Sequence, residues 1–210
     1  MSILKIARMG HPVLRQVARP IDPADILSPQ IQQLIQDMLA TVIDADGAGL
    51  AAPQVHVPLR LVLLSLDELE GFQIWINPVL TPLTEDYMLT YEGCLSVAGL
   101  RGAVARPAHI HVQALDQEGN IIDIELDGFS AIVAQHECDH LDGILYIDRL
   151  EPGTLMFLEE YRRFGPWPLG GFEEEGDEGV DGDQDDVADD VADDVRAEGG
   201  GDDARAHVEE

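Results

Sequence analysis

Residues 129–141 read Phe129-Ser130-Ala131-Ile132-Val133-Ala134-Gln135-His136-Glu137-Cys138-Asp139-His140-Leu141. Asp127-Gly128 before this stretch and Asp142-Gly143 after it are typical of residues that flank a helix. The helix predicted here groups four residues on one face: Ile132, Val133, His136 and His140. Its histidines therefore point where its apolar residues point, toward the interior of the protein.

The flanking sequence predicts one further helix and several strands. Ser28-Pro29 is a typical helix start, and apolar residues then recur at three- and four-residue steps until Asp44-Ala45-Asp46-Gly47 ends the helix. Strands are predicted at 59–66, 73–80 and 88–91, and a hairpin at 108–115 and 120–126. Because these strands do not alternate regularly with helices, we expect an α+β fold with antiparallel strands around a buried helix.

The segment His136-Glu137-Cys138-Asp139-His140 has the spacing of a metal site. Histidines four residues apart lie one helical turn apart, so both imidazoles can reach one ion, with Glu137 beside the open coordination position. A catalytic site of this type needs a third protein ligand. Upstream, Cys94 offers a soft thiolate suited to zinc or ferrous iron, and the nearby histidines favour this role over that of a buried hydrophobe. Downstream, three glutamates are alternatives: Glu151, Glu159 and Glu160.

Other cysteine and histidine residues fit structural roles. Cys138 lies between the two motif histidines and is turned away from their face, which predicts an inert thiol. His109 and His111 alternate with apolar residues along a predicted strand, which places them on its solvent face rather than at a metal. The glycines of the segment 47–54 permit close approach of another chain, and Gln54 supplies a neutral amide donor.

Three separated motifs together resemble the peptide deformylase family. They are Gly47 to Gln54, Glu92-Gly93-Cys94-Leu95-Ser96, and Gln135 to His140, in the order that the family has. The resemblance extends from about Ile3 to Arg149. It implies antiparallel sheets packed around a central metal-binding helix, and removal of the formyl group from the N-terminal formylmethionine of nascent proteins.

The resemblance also implies the roles of individual residues. The metal ligands are Cys94, His136 and His140, and the general base is Glu137, which takes a proton from a water whose pKa the ion lowers. The backbone N–H of Leu95 and the side-chain amide of Gln54 stabilise the oxyanion. The resemblance also implies one divalent ion per chain, ferrous iron in the cell with zinc or nickel as substitutes, while ligand softness alone fits either iron or zinc.

Substrate binding is likewise implied by the resemblance. A mostly apolar pocket suits the thioether side chain of methionine, and its lining residues are Ala48, Glu92, Phe129, Ile132 and Val133. The peptide binds in an extended conformation, as in strand addition, along the backbones of Ala48, Gly49 and Gly93.

Composition limits the partners and the location. The chain has 210 residues and a formal net charge of −29, which argues against broad attraction to DNA or to an anionic membrane surface. We find no apolar stretch long enough for a spanning helix and no signal-peptide pattern near Met1. Two cysteines do not form a disulfide framework. We therefore expect a cytoplasmic protein, and a monomer.

Much of the negative charge lies at the C-terminal end. Residues 173–210 contain 18 of the 41 acidic residues and only 2 basic ones. Such a segment cannot bury enough apolar surface to form a core. We expect a catalytic domain over 1–172 and an acidic disordered tail over 173–210. Because this tail repels RNA, any proximity to the ribosome does not depend on it.

Two rival functions make different predictions. A zinc peptidase that cuts internal peptide bonds would take its third ligand from Glu151, Glu159 or Glu160 and give Cys94 no role. A catalytically idle relative, retained as a binding protein, would not need Glu137 and Gln54 together with all three metal ligands.

Overall fold

The structure is a computed structural model that describes residues 1–66 and 69–166. In these ranges the helices are α1 (Pro29–Asp44), α2 (Gly128–Leu141) and α3 (Leu158–Phe164), with 3-10 turns at Pro12–Arg15, Pro23–Asp25, Ala52–Val55 and Tyr146–Asp148. The strands are β1 (Gly49–Ala51), β2 (Leu61–Ser65), β3 (Phe72–Pro82), β4 (Tyr87–Cys94), β5 (Val97–Pro107), β6 (His109–Leu115), β7 (Ile121–Asp127) and β8 (Met156–Phe157). The predicted acidic tail, 173–210, lies outside the described residues.

Helix α1 begins and ends where the sequence predicts. The side chain of Ser28 accepts a hydrogen bond from the backbone N–H of Ile31, and Pro29 occupies the first turn. The buried stripe of the helix consists of Ile31, Ile35, Met38, Thr41 and Val42. Its apolar members pack in one cluster with the inward side chains of β2, so α1 covers one face of the sheet.

The described strands form two antiparallel sheets. One has the order β1-β2-β3-β6-β7, and the other has the order β4-β5-β8. The predicted hairpin is β6-β7, in which Ile110 lies opposite Leu126. This arrangement confirms the expected α+β class with antiparallel strands.

Helix α2 is almost completely buried between the sheets, and this position creates the site. Ala131, Ala134, Cys138 and Leu141 pack against an apolar cluster of the larger sheet that includes Val62 and Trp75. The same helix contacts β5 of the smaller sheet. Polar groups on α2 are therefore enclosed by protein, where electrostatic interactions are strong.

Strands β1, β5 and β8 and helix α3 were not predicted from the sequence, and for β1 and β5 the reason is physical. Five of the 11 residues of β5 are Gly or Ala, which pack poorly on a pleated surface and have low strand propensity. Its pairing with β4 from Tyr87 opposite Pro107 to Glu92 opposite Gly102 holds it in place. The three residues of β1 pair with β2 in antiparallel register, with Gly49 opposite Leu64. Tertiary pairing thus forms strands that local sequence does not indicate.

Among the described residues, no helix has both the length and the apolar character needed to cross a membrane.

Candidate metal centre and active site

Two elements bring the thiol and the two imidazoles together. Cys94 ends β4, and the short connection to Val97 of β5 holds it in a tight turn beside α2. Sγ of Cys94 lies 3.2 Å from Nε2 of His140. The ligand atoms of Cys94, His136 and His140 all lie within 4.8 Å of one another. In the described part of the chain, this is the one group of three or more His, Cys, Asp and Glu residues with such a geometry.

The donor set fits a divalent transition metal. Thiolate and imidazole ligands suit zinc and iron, and three protein ligands leave a fourth position for water or substrate. Cys94, His136 and His140 would hold one such ion, since their donor atoms all lie within 4.8 Å of one another. Glu151, Glu159 and Glu160 are not part of the group, so the ligand set of the rival zinc peptidase is not assembled.

Glu92 orients one of these imidazoles. Nδ1 of His136 donates a hydrogen bond to Oε2 of Glu92 at 2.8 Å, which leaves Nε2 as the nitrogen available to a metal. Arg106 donates to both oxygens of the same carboxylate, at 2.5 Å and 3.0 Å. The ring of Tyr146 stacks on that of His136, with 6.1 Å between centroids. The contact of Glu92 with a histidine was not predicted from the sequence.

Gln54 is held beside the thiol by two sets of contacts. Its Oε1 accepts a hydrogen bond from the backbone N–H of Ala51 at 2.7 Å. Its Nε2 lies 3.6 Å from Sγ of Cys94 and 3.3 Å from Oγ of Ser96. These contacts fix the orientation of the amide, so the amide nitrogen is the end nearer the candidate metal-binding group. Leu95 follows Cys94 in the same turn.

Glu137 is in contact with the glycine segment. A Cβ atom built on Gly49 would lie 2.6 Å from Oε1 of Glu137, so only glycine allows β1 to approach this closely. Glu137 is 5% exposed, and its Oε2 has no hydrogen-bond partner among the described residues. A buried carboxylate oxygen without a donor is unusual and is typical of a functional group.

Burial dominates the electrostatics of the site. Loss of solvent raises the pKa of Glu137 to about 7. Burial, together with the charge of His136, lowers the pKa of His140 well below its usual range. Burial also disfavours the charged form of His136, but its hydrogen bonds to Cys94 and Glu92 raise its pKa well above the usual range. The group therefore contains a carboxyl that can bind and release a proton near neutral pH.

The remaining predicted residues lie near these groups to different degrees. Ile132 is buried one turn before His136 on α2, and Phe129 is 52% exposed in the first turn. Val133 packs in the apolar cluster of the larger sheet with Trp75. Ala48 precedes β1, and its carbonyl accepts a hydrogen bond from the N–H of Ser65. Gly93 precedes Cys94 in β4, and a side chain there would collide with that of Arg101.

Comparison with known proteins identifies the family. The family model described as polypeptide deformylase matches residues 3–155. This chain belongs to the peptide deformylase family. Its membership makes it a hydrolase, and deformylases remove formyl groups from nascent proteins.

Individual relatives agree with this assignment. Peptide deformylase 1 of Prochlorococcus marinus is 47% identical over 159 residues, which cover 71% of this chain and 82% of that protein. The crystal structure of a peptide deformylase from Thermotoga maritima has a TM-score of 0.68 at 34% identity, and the match covers 72% of this chain and all of that one. A deformylase from Acinetobacter baumannii crystallised with Met-Ala-Ser gives the same TM-score at 32% identity, covering 71% of this chain and 100% of that one.

Two residues next to the candidate site were not predicted from the sequence. Arg106 and Asp139 are buried, and Arg106 donates a hydrogen bond to Asp139 at 2.8 Å. Arg106 also binds Glu92, which contacts His136, and Asp139 directly precedes His140 in α2. The position of Arg106 among small apolar residues of β5 is a sequence signal that could have indicated a buried, paired arginine. By contrast, His109 and His111 pair with Glu125 and Asp123 at the surface, as predicted. Cys138 is buried, and burial raises the pKa of its thiol, which agrees with an inert role.

Proposed function

We propose that the chain removes the formyl group from N-terminal formylmethionine through a divalent metal held by Cys94, His136 and His140, with Glu137 as the base. The observation that carries this proposal is the unpartnered, buried Oε2 of Glu137 next to a three-donor group. A bound divalent ion would act as a Lewis acid and would lower the pKa of a water molecule in the site. Ferrous iron is our expectation for the cell, with zinc or nickel as substitutes.

Glu137 transfers the proton in this scheme. Its Oε2 accepts a proton from the attacking water and then donates it to the nitrogen of the departing amine. Its burial beside the three donors, with no other hydrogen-bond partner for Oε2 among the described residues, supports both roles.

Gln54 and Leu95 are the proposed donors to the oxyanion. The Oε1 of Gln54 accepts a hydrogen bond from Ala51, and its Nε2 lies against Cys94 and Ser96, so the amide is preorganised with its donor end at the site. The backbone N–H of Leu95 is the second proposed donor. Removal of one such donor typically costs about 3 kcal/mol of transition-state stabilisation.

The sheet topology supports binding of an extended peptide. Within the described residues, β1 and β4 are edge strands of their sheets, and they carry Gly49 and Gly93 next to the site. An edge strand has free backbone donors and acceptors, so a peptide can pair along these strands. We propose the backbones of Ala48, Gly49 and Gly93 for this pairing.

The methionine side chain is proposed to enter a pocket on the side of α2 that carries His136. Its lining residues are those inferred from the family: Ala48, Glu92, Phe129, Ile132 and Val133. The Acinetobacter baumannii deformylase was crystallised with Met-Ala-Ser bound, which supports a methionine as the first residue of the substrate. Both carboxylate oxygens of Glu92 are engaged by His136 and Arg106, so Glu92 contributes as a wall of the pocket and not as a free charge.

The same proposal covers the biological setting. We infer a cytoplasmic monomer that acts on formylated nascent chains, with residues 1–172 sufficient for catalysis. The acidic segment 173–210 would be repelled by ribosomal RNA, so we do not assign ribosome docking to it.

One assay separates the candidate reactions. The full-length protein is loaded with Fe²⁺ without oxygen, or with Ni²⁺, and is given formyl-Met-Ala-Ser and a peptide blocked at both ends. Release of formate without internal cleavage is expected. Glu137→Gln should retain the metal and lose turnover, because an amide cannot accept the proton. Internal cleavage, or full activity of Glu137→Gln, would contradict the proposed reaction or its base.

A further inference from the structure

Arg106 is a buried arginine that connects β4 to helix α2. It lies on β5 and is 3% exposed. Its Nε and Nη2 donate to the two oxygens of Glu92, at 2.5 Å and 3.0 Å. Its Nη1 donates to Oδ2 of Asp139 at 2.8 Å. Three donor atoms of one guanidinium are thus used on two carboxylates from different elements.

Both carboxylates lead to the metal-binding group. The Oε2 of Glu92 that receives Nη2 of Arg106 also receives Nδ1 of His136. Asp139 precedes His140 in α2 and follows His136 by three residues. Arg106 therefore restrains the imidazole of His136 through Glu92 and restrains the helical turn between the two histidines through Asp139.

The energetic cost of this network indicates more than a structural role. Burying charged groups removes their hydration, and a buried ion pair is often no more stabilising than apolar residues of the same size. Arg106, Glu92 and Asp139 are each at most 9% exposed, so all three lose their hydration. Directional hydrogen bonds from the three charged residues hold the groups that they contact in one orientation. Apolar residues make no such bonds and could not do this.

We propose that Arg106 is a positioning residue that sets the orientation of His136 for metal binding by holding Glu92 against α2. This inference deepens the proposed metal site and depends on it. Arg106 contacts neither substrate nor the reacting atoms in this scheme, and it acts through Glu92. A lysine cannot replace it fully, because a single ammonium does not form the bidentate pair.

Arg149 provides a matched control. It donates to both oxygens of Asp139, at 2.8 Å and 2.7 Å, but from the solvent side, and it does not contact Glu92 in the described structure. Its side chain is 44% exposed. If the network served only to hold Asp139 in place, substitution of Arg149 and of Arg106 would affect metal binding to similar degrees.

The test measures Zn²⁺ affinity by competition with a chelator in the full-length protein. Arg106→Lys and Arg106→Met are expected to bind Zn²⁺ about 10-fold more weakly, the lower end of the loss seen for outer-shell substitutions, because Glu92 itself remains. The Zn²⁺ affinities of Arg149→Lys and Arg149→Met are expected to stay within about threefold of that of the unsubstituted protein. Far-UV circular dichroism identifies the folded variants, and Arg106→Lys retains the buried charge if Arg106→Met does not fold.

A double-substitution cycle assigns the effect to Glu92. In a Glu92→Gln background, Arg106→Lys should weaken Zn²⁺ binding by much less than it does alone, because both act on the same imidazole. Additive effects, or a folded Arg106→Lys variant with unchanged Zn²⁺ affinity, would overturn the inference. Zn²⁺ binding and formate release are separate readouts. A protein that binds Zn²⁺ as predicted but releases no formate would contradict the proposed function alone.

Discussion

Substitution of Gly49 by alanine tests the contact between the glycine segment and the proposed base. The new Cβ would lie 2.6 Å from Oε1 and 2.7 Å from Cγ of Glu137, whereas ordinary contacts begin at 3.4 Å. Gly49 does not have a positive φ, so alanine is compatible with the backbone. The Glu137 carboxylate or β1 must therefore move by about 0.8 Å, because the new Cβ and the carboxylate cannot occupy the same space.

A shift of this size has a calculable effect on turnover. Misplacement of a reacting group by about 1 Å costs on the order of 100-fold in rate, or about 2.7 kcal/mol of transition-state stabilisation. We expect kcat for formate release from formyl-Met-Ala-Ser to fall between about 10- and 100-fold. Metal content should be unchanged, since Gly49 is not one of the three residues proposed to hold the metal.

Gly47→Ala is the matched control in the same segment. Its Cβ would meet Cδ1 of Leu95 at 3.0 Å and Cγ2 of Val42 at 3.1 Å, so these two side-chain ends need to give by only a few tenths of an ångström. A loss of less than about threefold is expected for this variant. If Gly49→Ala retained its metal and kept kcat within twofold of the unsubstituted enzyme, the position of Glu137 beside β1 would not matter for catalysis, and our account of the base would be wrong.

Three further predictions concern the metal, acid stability and the acidic segment. Cys94→Ala should lose bound metal and activity together, as measured by elemental analysis and formate release, because two imidazoles form an incomplete site. Arg15 holds the pKa of Asp148 below its usual value, so this carboxylate contributes stability above about pH 4 that is lost as the pH falls through its folded pKa. Asp148→Asn should accordingly lower the unfolding free energy at pH 7 by about 0.5–1 kcal/mol, and denaturant titrations should show the difference from the unsubstituted protein shrinking below about pH 4. Deletion of 173–210 should leave the turnover of short peptides within about twofold, and a large loss of thermal stability would show that the domain boundary is misplaced.

The sequence predicted those parts of the site that depend on local spacing. His136 and His140 share a helical face because of the four-residue step, and Ser28 and Pro29 mark the start of α1 through local capping chemistry. Cys94 could be selected over the downstream glutamates only by combining three motifs, because the ligand lies in another element. The sequence therefore predicts a contact best where one helix supplies both residues.

Features that depend on contacts between distant segments could not be predicted. The approach of Gly49 to Glu137 brings together residues of β1 and α2, and no local pattern encodes it. Arg106 would be placed at the surface by its residue type, because arginine is almost never fully buried without partners. Its partners, Glu92 and Asp139, lie 14 and 33 residues away in the chain.

The placement of α2 between the sheets has a consequence for the lifetime of the folded protein. Cys94 and the histidines belong to different sheet and helix elements, so the three donors meet only after β4 has docked on α2. Interactions that form after the folding transition state slow unfolding and leave the refolding rate nearly unchanged. A metal bound here would therefore lower the unfolding rate. Its removal by a chelator would shorten the half-life against proteolysis without delaying the next round of folding.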